Sequence, residues 1–318
     1  MIVTVTLNAA FARTITVPNF QRGQRHRASA GLPLAGGKGI NVARALKELG
    51  VPVVATGLAG GQAGLRIVER LTGEAILNDF VRIAGESRTT TAVVDPTNSS
   101  YTEINEWGPS ASSEEMELLN GKLRYLSQGA SLVVFAGSLP RGVSEDCYAE
   151  AIRDLSRLHV PSALDCEGEA LRYGLEAEPF LVSPNEAEAE ALVGQEFHDD
   201  EDFVIALDEI AARGARNVLI TTEGGCYALL REDKTVHRYR VEAPRVEPIS
   251  RVGAGDTLLA GYIAAWAAGR SRDGCLRQAV AAGAASVLVL GAGSFDPREA
   301  HRLEAGVSVT ELAEVAAL

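Results

Sequence analysis

Short apolar runs alternate with amphipathic stretches along most of the chain after residue 130. The runs typical of β-strands cover residues 132–136, 162–165, 180–183 and 217–221. The stretches with helical periodicity lie near residues 144–158, 168–174, 186–193 and 202–212. Because strands and helices take turns, the pattern predicts an α/β fold with a mostly parallel sheet covered by helices on both faces. The N-terminal strand, a helix over residues 38–49 and a strand over residues 53–57 are expected to join this sheet.

Two segments interrupt this rhythm, residues 14–34 and 89–105. Both contain alternating β-branched and polar positions without a helix between them, and the turn over residues 95–100 predicts a hairpin. We expect a small β lid, with segments near residues 12–35 and 88–107, over the carboxyl edge where such sheets bind ligands. The alternative is that both segments are ordinary edge strands of the main sheet.

The charge balance limits the partners that the protein can have. The 318 residues include 42 acidic and 30 basic side chains, which gives a net charge of −12 and an isoelectric point near 5.0. Such a chain is not suited to neutralise a nucleic-acid backbone, so nucleic acid is excluded as a partner. Any phosphate must instead be met by a few local cations and backbone N–H groups. The composition is that of a globular protein without linker or internal repeat, so residues 1–318 are expected to form one domain.

The cysteine, histidine and apolar patterns indicate the cellular compartment of the protein and the metal that it can bind. The four cysteines are scattered without a Cys-x-x-Cys pair, which indicates reduced thiols of a cytoplasmic protein. The N-terminus lacks the basic leader of a signal peptide, and the longest apolar runs are far too short for a membrane span. Since the five histidines show no ligand spacing, magnesium held by carboxylates and substrate phosphates is the only metal expected.

The strongest chemical signal is Arg-Val-Gly-Ala-Gly-Asp over residues 251–256, which is followed by a helical pattern. Gly253 and Gly255, with Ala254 between them, let backbone N–H groups converge at a helix start, where the helix dipole adds positive potential. This predicts an anion hole. Asp256 directly inside it can take a proton from an attacking hydroxyl while the N–H groups hold phosphoryl charge. The alternative is that Asp256 is only a favourable first-turn residue.

Three further motifs are expected at the carboxyl edge of the sheet. Ala-Gly-Gly-Lys-Gly-Ile-Asn over residues 35–41 opens a helix, and Asn41 offers a donor and an acceptor to hydroxyls. Its spacing is neither the dinucleotide fingerprint nor a Walker A loop. A glycine-flanked turn that contains Ser138 follows a buried strand. Asn185 and Glu188 lie one helical turn apart and can orient a hydrated magnesium ion or form a capping box, and the pair alone favours the capping box.

Five motifs follow one another in a fixed order along the chain. They are Gly-Gly-Lys-Gly-x-Asn (36–41), Thr-Glu-Ile-Asn-Glu-x-Gly-Pro (102–109), Gly-Ser-Leu-Pro-x-Gly (137–142), Asn-x-x-Glu (185–188) and Gly-Ala-Gly-Asp (253–256). In this order and spacing they resemble the PfkB/ribokinase superfamily of sugar kinases. The stretch over residues 102–106 makes the likeness greatest to the 1-phosphofructokinase and tagatose-6-phosphate kinase branch.

The resemblance implies a ribokinase-like fold and transfer of the γ-phosphoryl of ATP, with Mg²⁺, to a ketohexose phosphate such as fructose 1-phosphate or tagatose 6-phosphate. It implies that Asp256 is the general base. The residues implied to bind the sugar phosphate are Arg25, Gly37, Lys38, Asn41, Arg88 and Ser138. Those implied to bind ATP are Asn185, Glu188, Thr221, Gly224 and Arg251, with Glu188 at the metal. A homodimer through the lid is expected as well.

Four features depart from the family pattern. The family's opening carboxylate, which hydrogen-bonds sugar hydroxyls, is Ala12 in this chain. Ser183 replaces a lysine, and Arg251 replaces a threonine and would substitute for the charge lost at Ser183. The nucleotide loop over residues 221–226 has both glycine places shifted or lost. These departures leave open a kinase for another sugar or a nucleoside, or a catalytically weak sensor of a sugar phosphate or nucleotide.

Overall fold

The computed structural model describes residues 1–232 and 235–313. In these ranges the chain forms fourteen strands: β1 (Ile2–Thr6), β2 (Ala10–Thr16), β3 (Ala30–Gly36), β4 (Val53–Gly60), β5 (Leu77–Ile83), β6 (Arg88–Asp95), β7 (Ser100–Asn105), β8 (Leu132–Ala136), β9 (Ser162–Asp165), β10 (Leu181–Val182), β11 (Asn217–Thr222), β12 (Gly225–Glu232), β13 (Thr235–Glu242) and β14 (Ser308–Leu312). The same ranges contain ten helices: α1 (Lys38–Glu48), α2 (Gly61–Gly73), α3 (Ser113–Ser127), α4 (Cys147–Arg157), α5 (Gly168–Leu175), α6 (Glu186–Val193), α7 (Asp200–Ala212), α8 (Ala254–Ala267), α9 (Arg272–Ser286) and α10 (Pro297–Glu304). None of the helices described is long and apolar enough to cross a membrane.

The larger of two sheets has ten strands in the order β14-β13-β12-β11-β10-β9-β8-β1-β4-β5. The strands from β11 to β5 pair in parallel, and a helix lies in each connection between them because parallel neighbours need a crossover. The strands β12, β13 and β14 add an antiparallel edge. The central strands β1, β8 and β9 are buried along their whole length, as expected where both faces are covered. The predicted mostly parallel α/β sheet is confirmed.

Each face of this sheet has its own hydrophobic core. In β1, Ile2 packs into the core formed with α1, α8 and α9, whereas Val3 and Val5 pack into the core formed with α3 to α7. This alternation follows from the period of two residues in a strand. The helices α8 and α9 approach closely at Gly261, where a Cβ would lie 2.8 Å from the backbone oxygen of Gln278.

The smaller sheet, which we call the lid sheet, has four strands in the order β3-β2-β6-β7. The strand β2 pairs antiparallel with β3 and parallel with β6, and β7 forms a hairpin with β6. These strands come from the two segments that interrupt the strand–helix rhythm. The prediction of a separate small sheet is therefore confirmed, and the alternative that they are edge strands of the main sheet is wrong.

Most predicted elements agree with the structure within three residues. The strand predicted over residues 180–183 is reduced to Leu181–Val182. The helix predicted from residue 202 begins two residues earlier, because the side chain of Asp199 accepts the N–H groups of Glu201 and Asp202 and caps it. The sequence pattern did not identify α2, α3, α10 or the antiparallel strands.

Candidate active site

A cavity of about 1140 Å³ lies between the carboxyl edge of the main sheet and the lid sheet. The strand order reverses between β1 and β8, since the chain runs from β1 outward to β4 and β5 and then returns to β8 on the other side. Ligands bind outside the carboxyl ends of the strands at such a switch point. Asn8 and Ser138, which follow β1 and β8, line the cavity.

The cavity brings together nearly all the residues that the sequence singled out. They are Gly37, Lys38, Asn41, Arg88, Ser138, Asn185, Glu188, Thr221, Gly224, Arg251, Gly253, Ala254, Gly255 and Asp256. The altered positions Ala12 and Ser183 line it too. Arg25 is the exception, because it lies exposed in the loop between β2 and β3, outside the cavity lining.

The N-terminus of α8 opens onto this cavity. Its N-cap residue Gly253 has φ 80°, and a Cβ on it would lie 2.7 Å from the Cβ of Ala292. Glycine is therefore needed both for the left-handed backbone and for the close packing. No side chain in the described ranges caps this helix, so its dipole is available to an anion. Of its first N–H groups, that of Ala254 donates to the carbonyl of Arg251 at 3.2 Å.

Asp256 lies in the first turn of α8 with only 6% of its surface exposed. Its Oδ2 accepts a hydrogen bond of 2.7 Å from Nδ2 of Asn41. Burial, followed by the negative charge of Asp165, raises the pKa of Asp256 to about 7. The charge of Lys38 and the bond from Asn41 act in the opposite direction on this pKa. A carboxyl group that titrates near neutrality can accept a proton during a reaction.

The ammonium group of Lys38 contacts two of the acids around Asp256. Nζ of Lys38 lies 2.7 Å from Oδ1 of Asp165 and 3.0 Å from Oε1 of Glu188. Burial alone would lower the pKa of Lys38, but the charges of Asp165, Glu188 and Asp256 outweigh it and hold the pKa above its ordinary value. Lys38 is therefore protonated. The resemblance placed it among the sugar contacts, whereas the structure pairs it with two acids.

Asn185 and Glu188 form the capping box that their spacing favours. Oδ1 of Asn185 accepts the N–H of Glu188 at 2.9 Å, and Oε2 of Glu188 accepts the N–H of Asn185 at 2.8 Å. Since Oε1 of Glu188 also accepts from Lys38, both carboxylate oxygens are engaged. Burial raises the pKa of Glu188, against the opposing effect of Lys38. Among the described residues no cluster of three acidic, histidine or cysteine side chains is arranged to hold a metal ion.

Arg88, the first residue of β6, contacts the segment that follows β1. Its Nε donates to the carbonyl of Asn8 at 3.1 Å and its Nη1 to the carbonyl of Glu106 at 3.3 Å. Nδ2 of Asn8 donates to Oγ of Ser138 and to the carbonyl of Trp107, both at 3.2 Å. Burial lowers the pKa of Arg88, while nearby glutamates raise it. A guanidinium at a cavity wall is suited to bind a phosphate.

Alternate residues of the lid strands face the cavity. They include Ala12 and Thr14 on β2, Thr90 and Ala92 on β6, and Glu103 and Asn105 on β7. Ala12 pairs with Leu34 and Thr90 on the neighbouring strands. A Cβ on Gly36 would lie 2.7 Å from the Cβ of Ala12, so glycine keeps the space beside Ala12 open. The immediate neighbours of Ala12 on the lid sheet, Leu34, Gly36 and Thr90, are uncharged.

The other altered positions lie near the loop between β11 and β12. Arg251 forms an ion pair with Glu223 of this loop. Thr221 forms an isolated parallel bridge with Asn185, which ties the loop to the start of α6. Oγ of Ser183 is buried without a hydrogen-bond partner in the part of the chain described. That Arg251 substitutes for the charge lost at Ser183 stays a prediction.

Sequence reasoning missed two charged residues at the site. Asp165 ends a strand that was predicted, and an acid at the carboxyl end of a parallel strand is the signal that would have found it. Arg44, one turn after Asn41 on α1, is buried with 4% of its surface exposed. An arginine inside an otherwise apolar stretch of helix is a weaker signal, since charged residues are rarely buried unless paired.

Comparisons with known proteins cover almost the whole chain. The family model described as pfkB family carbohydrate kinase matches residues 6–299. A 1-phosphofructokinase from Borreliella burgdorferi is 34% identical over 288 residues, which are 91% of this chain and 92% of that protein.

Solved structures resemble the fold at lower sequence identity. A possible 1-phosphofructokinase from Thermotoga maritima has a TM-score of 0.88 at 26% identity, with 98% of this chain and 100% of that chain covered. The tetrameric inhibited form of phosphofructokinase-2 from Escherichia coli has a TM-score of 0.85 at 28% identity, with 96% and 98% covered. Because the family model spans most of the sequence, the chain belongs to the pfkB family of carbohydrate kinases, which transfer a phosphoryl group to a sugar hydroxyl.

Proposed function

We propose that the protein transfers the γ-phosphoryl group of ATP to a hydroxyl of a ketohexose phosphate of the fructose 1-phosphate or tagatose 6-phosphate type. The observation that carries this proposal is Asp256, a buried carboxyl group with a pKa of about 7 in the first turn of a helix that opens onto the cavity. Phosphoryl transfer to a hydroxyl needs a base that takes the hydroxyl proton and, beside it, an anion hole that holds the phosphoryl charge. The name of the Borreliella relative, 1-phosphofructokinase, supports a ketohexose phosphate as acceptor.

The proposed reaction is an in-line displacement at the γ-phosphorus. The acceptor oxygen forms a new bond to phosphorus, the bond from phosphorus to the β–γ bridging oxygen breaks, and ADP leaves. The hydroxyl proton passes to the carboxylate of Asp256. The N–H groups of Gly253, Ala254 and Gly255 stabilise the charge on the transferred group. Lys38 keeps the acids beside Asp256 from raising its pKa further.

Magnesium is the metal that this donor set would hold. Asn185 and Glu188 supply oxygen ligands at the cavity wall. Because both side chains are engaged in the capping box, they fit an ion held mainly by nucleotide phosphates and water rather than by a protein cage. When bound, the ion would neutralise charge on the phosphates. Thr221, Gly224 and Arg251 are proposed to contact the same nucleotide.

The acceptor is proposed to lie between the lid sheet and the first turn of α1. Gly37 and Asn41 would contact its sugar, while Arg88 and Ser138 would bind the phosphate that it already carries. Arg88 and Ser138 are linked through Asn8, which supports a common site for them. Arg25 is proposed as a helper of Arg88, and its loop between β2 and β3 would have to move toward the cavity.

Ala12 favours a second candidate function. The uncharged wall around it also fits a kinase whose acceptor lacks a hydroxyl at that point, such as another sugar or a nucleoside. The unpartnered Ser183 hydroxyl would suit a catalytically weak sensor. Release of ADP measured across phosphorylated sugars, free sugars and nucleosides separates these functions, because a sensor releases little ADP with any acceptor.

A second copy of the chain is proposed to pair through the lid sheet. The outer strand β7 is exposed along its whole length, and the exposed side chains of Tyr101, Ile104 and Trp107 lie on it or just beyond it. The tetrameric form of the Escherichia coli enzyme supports assembly in general. We also propose that residues 1–318 act as one kinase domain in the cytoplasm, where the four free cysteines would stay reduced.

Asp256→Asn is expected to lower kcat at least about 100-fold, because the variant has no carboxylate to take the hydroxyl proton. The KM values for sugar phosphate and ATP should change little. The measurement is ADP release with fructose 1-phosphate and tagatose 6-phosphate, using enzyme purified free of host kinases. Turnover equal to that of the wild type would show that Asp256 is not the base.

The same substitution is expected to stabilise the fold at alkaline pH. The pKa of Asp256 in the folded protein, about 7, lies above its ordinary 3.8. The folded state therefore holds its proton more tightly, and wild-type stability falls as pH rises from about 4 to about 7. Relative to the wild type, Asp256→Asn should gain on the order of 2–4 kcal/mol at pH 8 and little below pH 4. Urea unfolding at both pH values measures this, and a less stable variant at pH 8 would refute the raised pKa.

Arg88→Ala is expected to raise the KM for the phosphorylated sugar about 10- to 100-fold, the scale of a lost charge-assisted hydrogen bond of about 1.5–3 kcal/mol. The KM for ATP should stay within about twofold, because Arg88 is assigned to the acceptor phosphate. Arg141→Ala is the matched control, since Arg141 lies over the ring of Trp107 but does not line the cavity. Equal effects of Arg88→Ala on both substrates, or on neither, would count against this assignment.

Ala12→Asp is expected to raise kcat/KM for fructose 1-phosphate or tagatose 6-phosphate about 10- to 100-fold, because the new carboxylate can accept hydrogen bonds from acceptor hydroxyls. Ala12 lines the cavity, into which the longer side chain can extend. Ala12→Asn serves as the uncharged control. If Ala12→Asp instead abolishes activity on the best wild-type acceptor, the pocket is shaped for a less polar ligand, and the ketohexose phosphate is the wrong acceptor.

A further inference from the structure

A buried arginine behind the general base has an acceptor for every N–H group of its guanidinium. Nε of Arg44 donates to Oε2 of Glu74 at 2.6 Å. Nη2 donates to the carbonyl of Ala35 at 2.8 Å and to Oε1 of Glu74 at 3.3 Å. Nη1 donates to the carbonyl of Ala292 at 2.8 Å and to Oδ1 of Asn41 at 3.4 Å. Five acceptors meet the five donors of the guanidinium, so its orientation is fixed.

The Asn41 amide lies between Arg44 and the general base. Its Oδ1 faces the guanidinium, and its Nδ2 donates to Oδ2 of Asp256. Turning the amide over would place its NH₂ group against the guanidinium donors and its oxygen against the carboxylate. A protonated Asp256 can donate to that oxygen, so Asp256 alone does not fix the amide in both protonation states. The guanidinium of Arg44 opposes the turned amide in either state.

The same guanidinium holds the turn formed by Ala292 and Gly293, which we call the Ala292 turn and which packs behind the proposed anion hole. The carbonyl of Ala292 accepts from Arg44, and the Cβ of Ala292 lies where a side chain on Gly253 would have to go. The next residue, Gly293, is so close to α1 that a Cβ there would lie 2.3 Å from the carbonyl of Asn41. The turn is therefore packed between α1 and the start of α8, and Arg44 connects the two.

We propose that Arg44 is a positioning residue for phosphoryl transfer: it holds the Asn41 amide with its N–H toward the Asp256 carboxylate and holds the Ala292 turn behind Gly253. Arg44 does not line the cavity, so it acts through these neighbours rather than on a ligand. The proposal rests on the proposed function, because it gives Arg44 a part in the work of Asp256. The competing explanation is that Arg44 only stabilises the fold through its ion pair with Glu74.

Arg44→Lys keeps the positive charge but cannot satisfy five separate acceptors with one ammonium group. We expect kcat to fall at least about tenfold while the KM for ATP stays within about threefold, since no residue assigned to ATP contacts Arg44. In the pH profile of kcat, the acid limb is the fall in kcat at low pH, where Asp256 becomes protonated. This limb should move to higher pH by about 0.5–1 unit, because the hydrogen bond from Asn41, which favours the ionised form of Asp256, is weakened in the variant. Lys38, Asp165 and Glu188, the other charged groups that act on Asp256, are unchanged in the variant.

Two further variants separate positioning from stability. Glu74→Gln weakens the same ion pair but leaves Asn41 and Ala292 in place, so it should lower Tm while kcat and the acid limb stay near wild type. Asn41→Leu should reproduce the shift of the acid limb, and adding Arg44→Lys to it should shift the limb no further, because Arg44 acts through the amide. Additive shifts in the double variant, or Arg44→Lys that lowers only Tm, would overturn the proposal.

A direct titration keeps this test independent of turnover. The pKa of the Asp256 carboxyl is followed by ¹³C NMR, with Asp256→Asn to assign the signal, and it should rise in Arg44→Lys and in Asn41→Leu. If Arg44→Lys does not fold, Asn41→Leu decides, and an unchanged pKa there overturns the proposal. A wild type that releases no ADP with any acceptor refutes the proposed function instead, while the NMR shift still reports on Arg44.

Discussion

The rest of the site depends on one electrostatic constraint, which is that a single ammonium group, that of Lys38, lies among three carboxylates. Asp165 and Glu188 contact its ammonium group, and the charges of both raise the pKa of the buried Asp256. One cation cannot neutralise three carboxylates, so Asp256, whose hydrogen bond comes from the Asn41 amide, titrates near neutrality. Against this excess of negative charge, the start of α8, which no side chain caps in the described ranges, offers positive potential to an anion.

The topology of the main sheet brings these groups together without a long loop. Asn8 follows β1, Asp165 ends β9, and Ser183 follows β10, so parallel strands deliver their ends to one edge. The lid sheet lies across this edge and provides a wall that the main sheet lacks. Exclusion of water from the space between the two sheets would strengthen each charge interaction within it.

Local patterns predicted the parallel sheet, the separate lid sheet and the glycine turns and helix starts at the cavity, because such turns and starts are encoded within a few residues. Contacts between distant segments were not predictable in this way. Asp165 and Lys38 are 127 residues apart, and Arg44 reaches Ala292 across 248 residues. The strand β13 carries Arg238, Arg240 and Glu242 among its eight residues, so its apolar period is weak and the pattern did not show it.

The departures from the family pattern lie on the walls of the cavity and not at Asp256, the proposed base. Ala12 lies on the lid sheet, and Arg251 pairs with Glu223 in a loop, whereas Asp256 keeps its bond from Asn41. Changes at a wall alter which ligand fits and how tightly it is held, since each lost polar contact costs free energy of binding. Changes in the buried group alter the proton transfer itself. If Asp256 is the base as proposed, the altered positions change the selection of substrate and leave the chemical step unchanged.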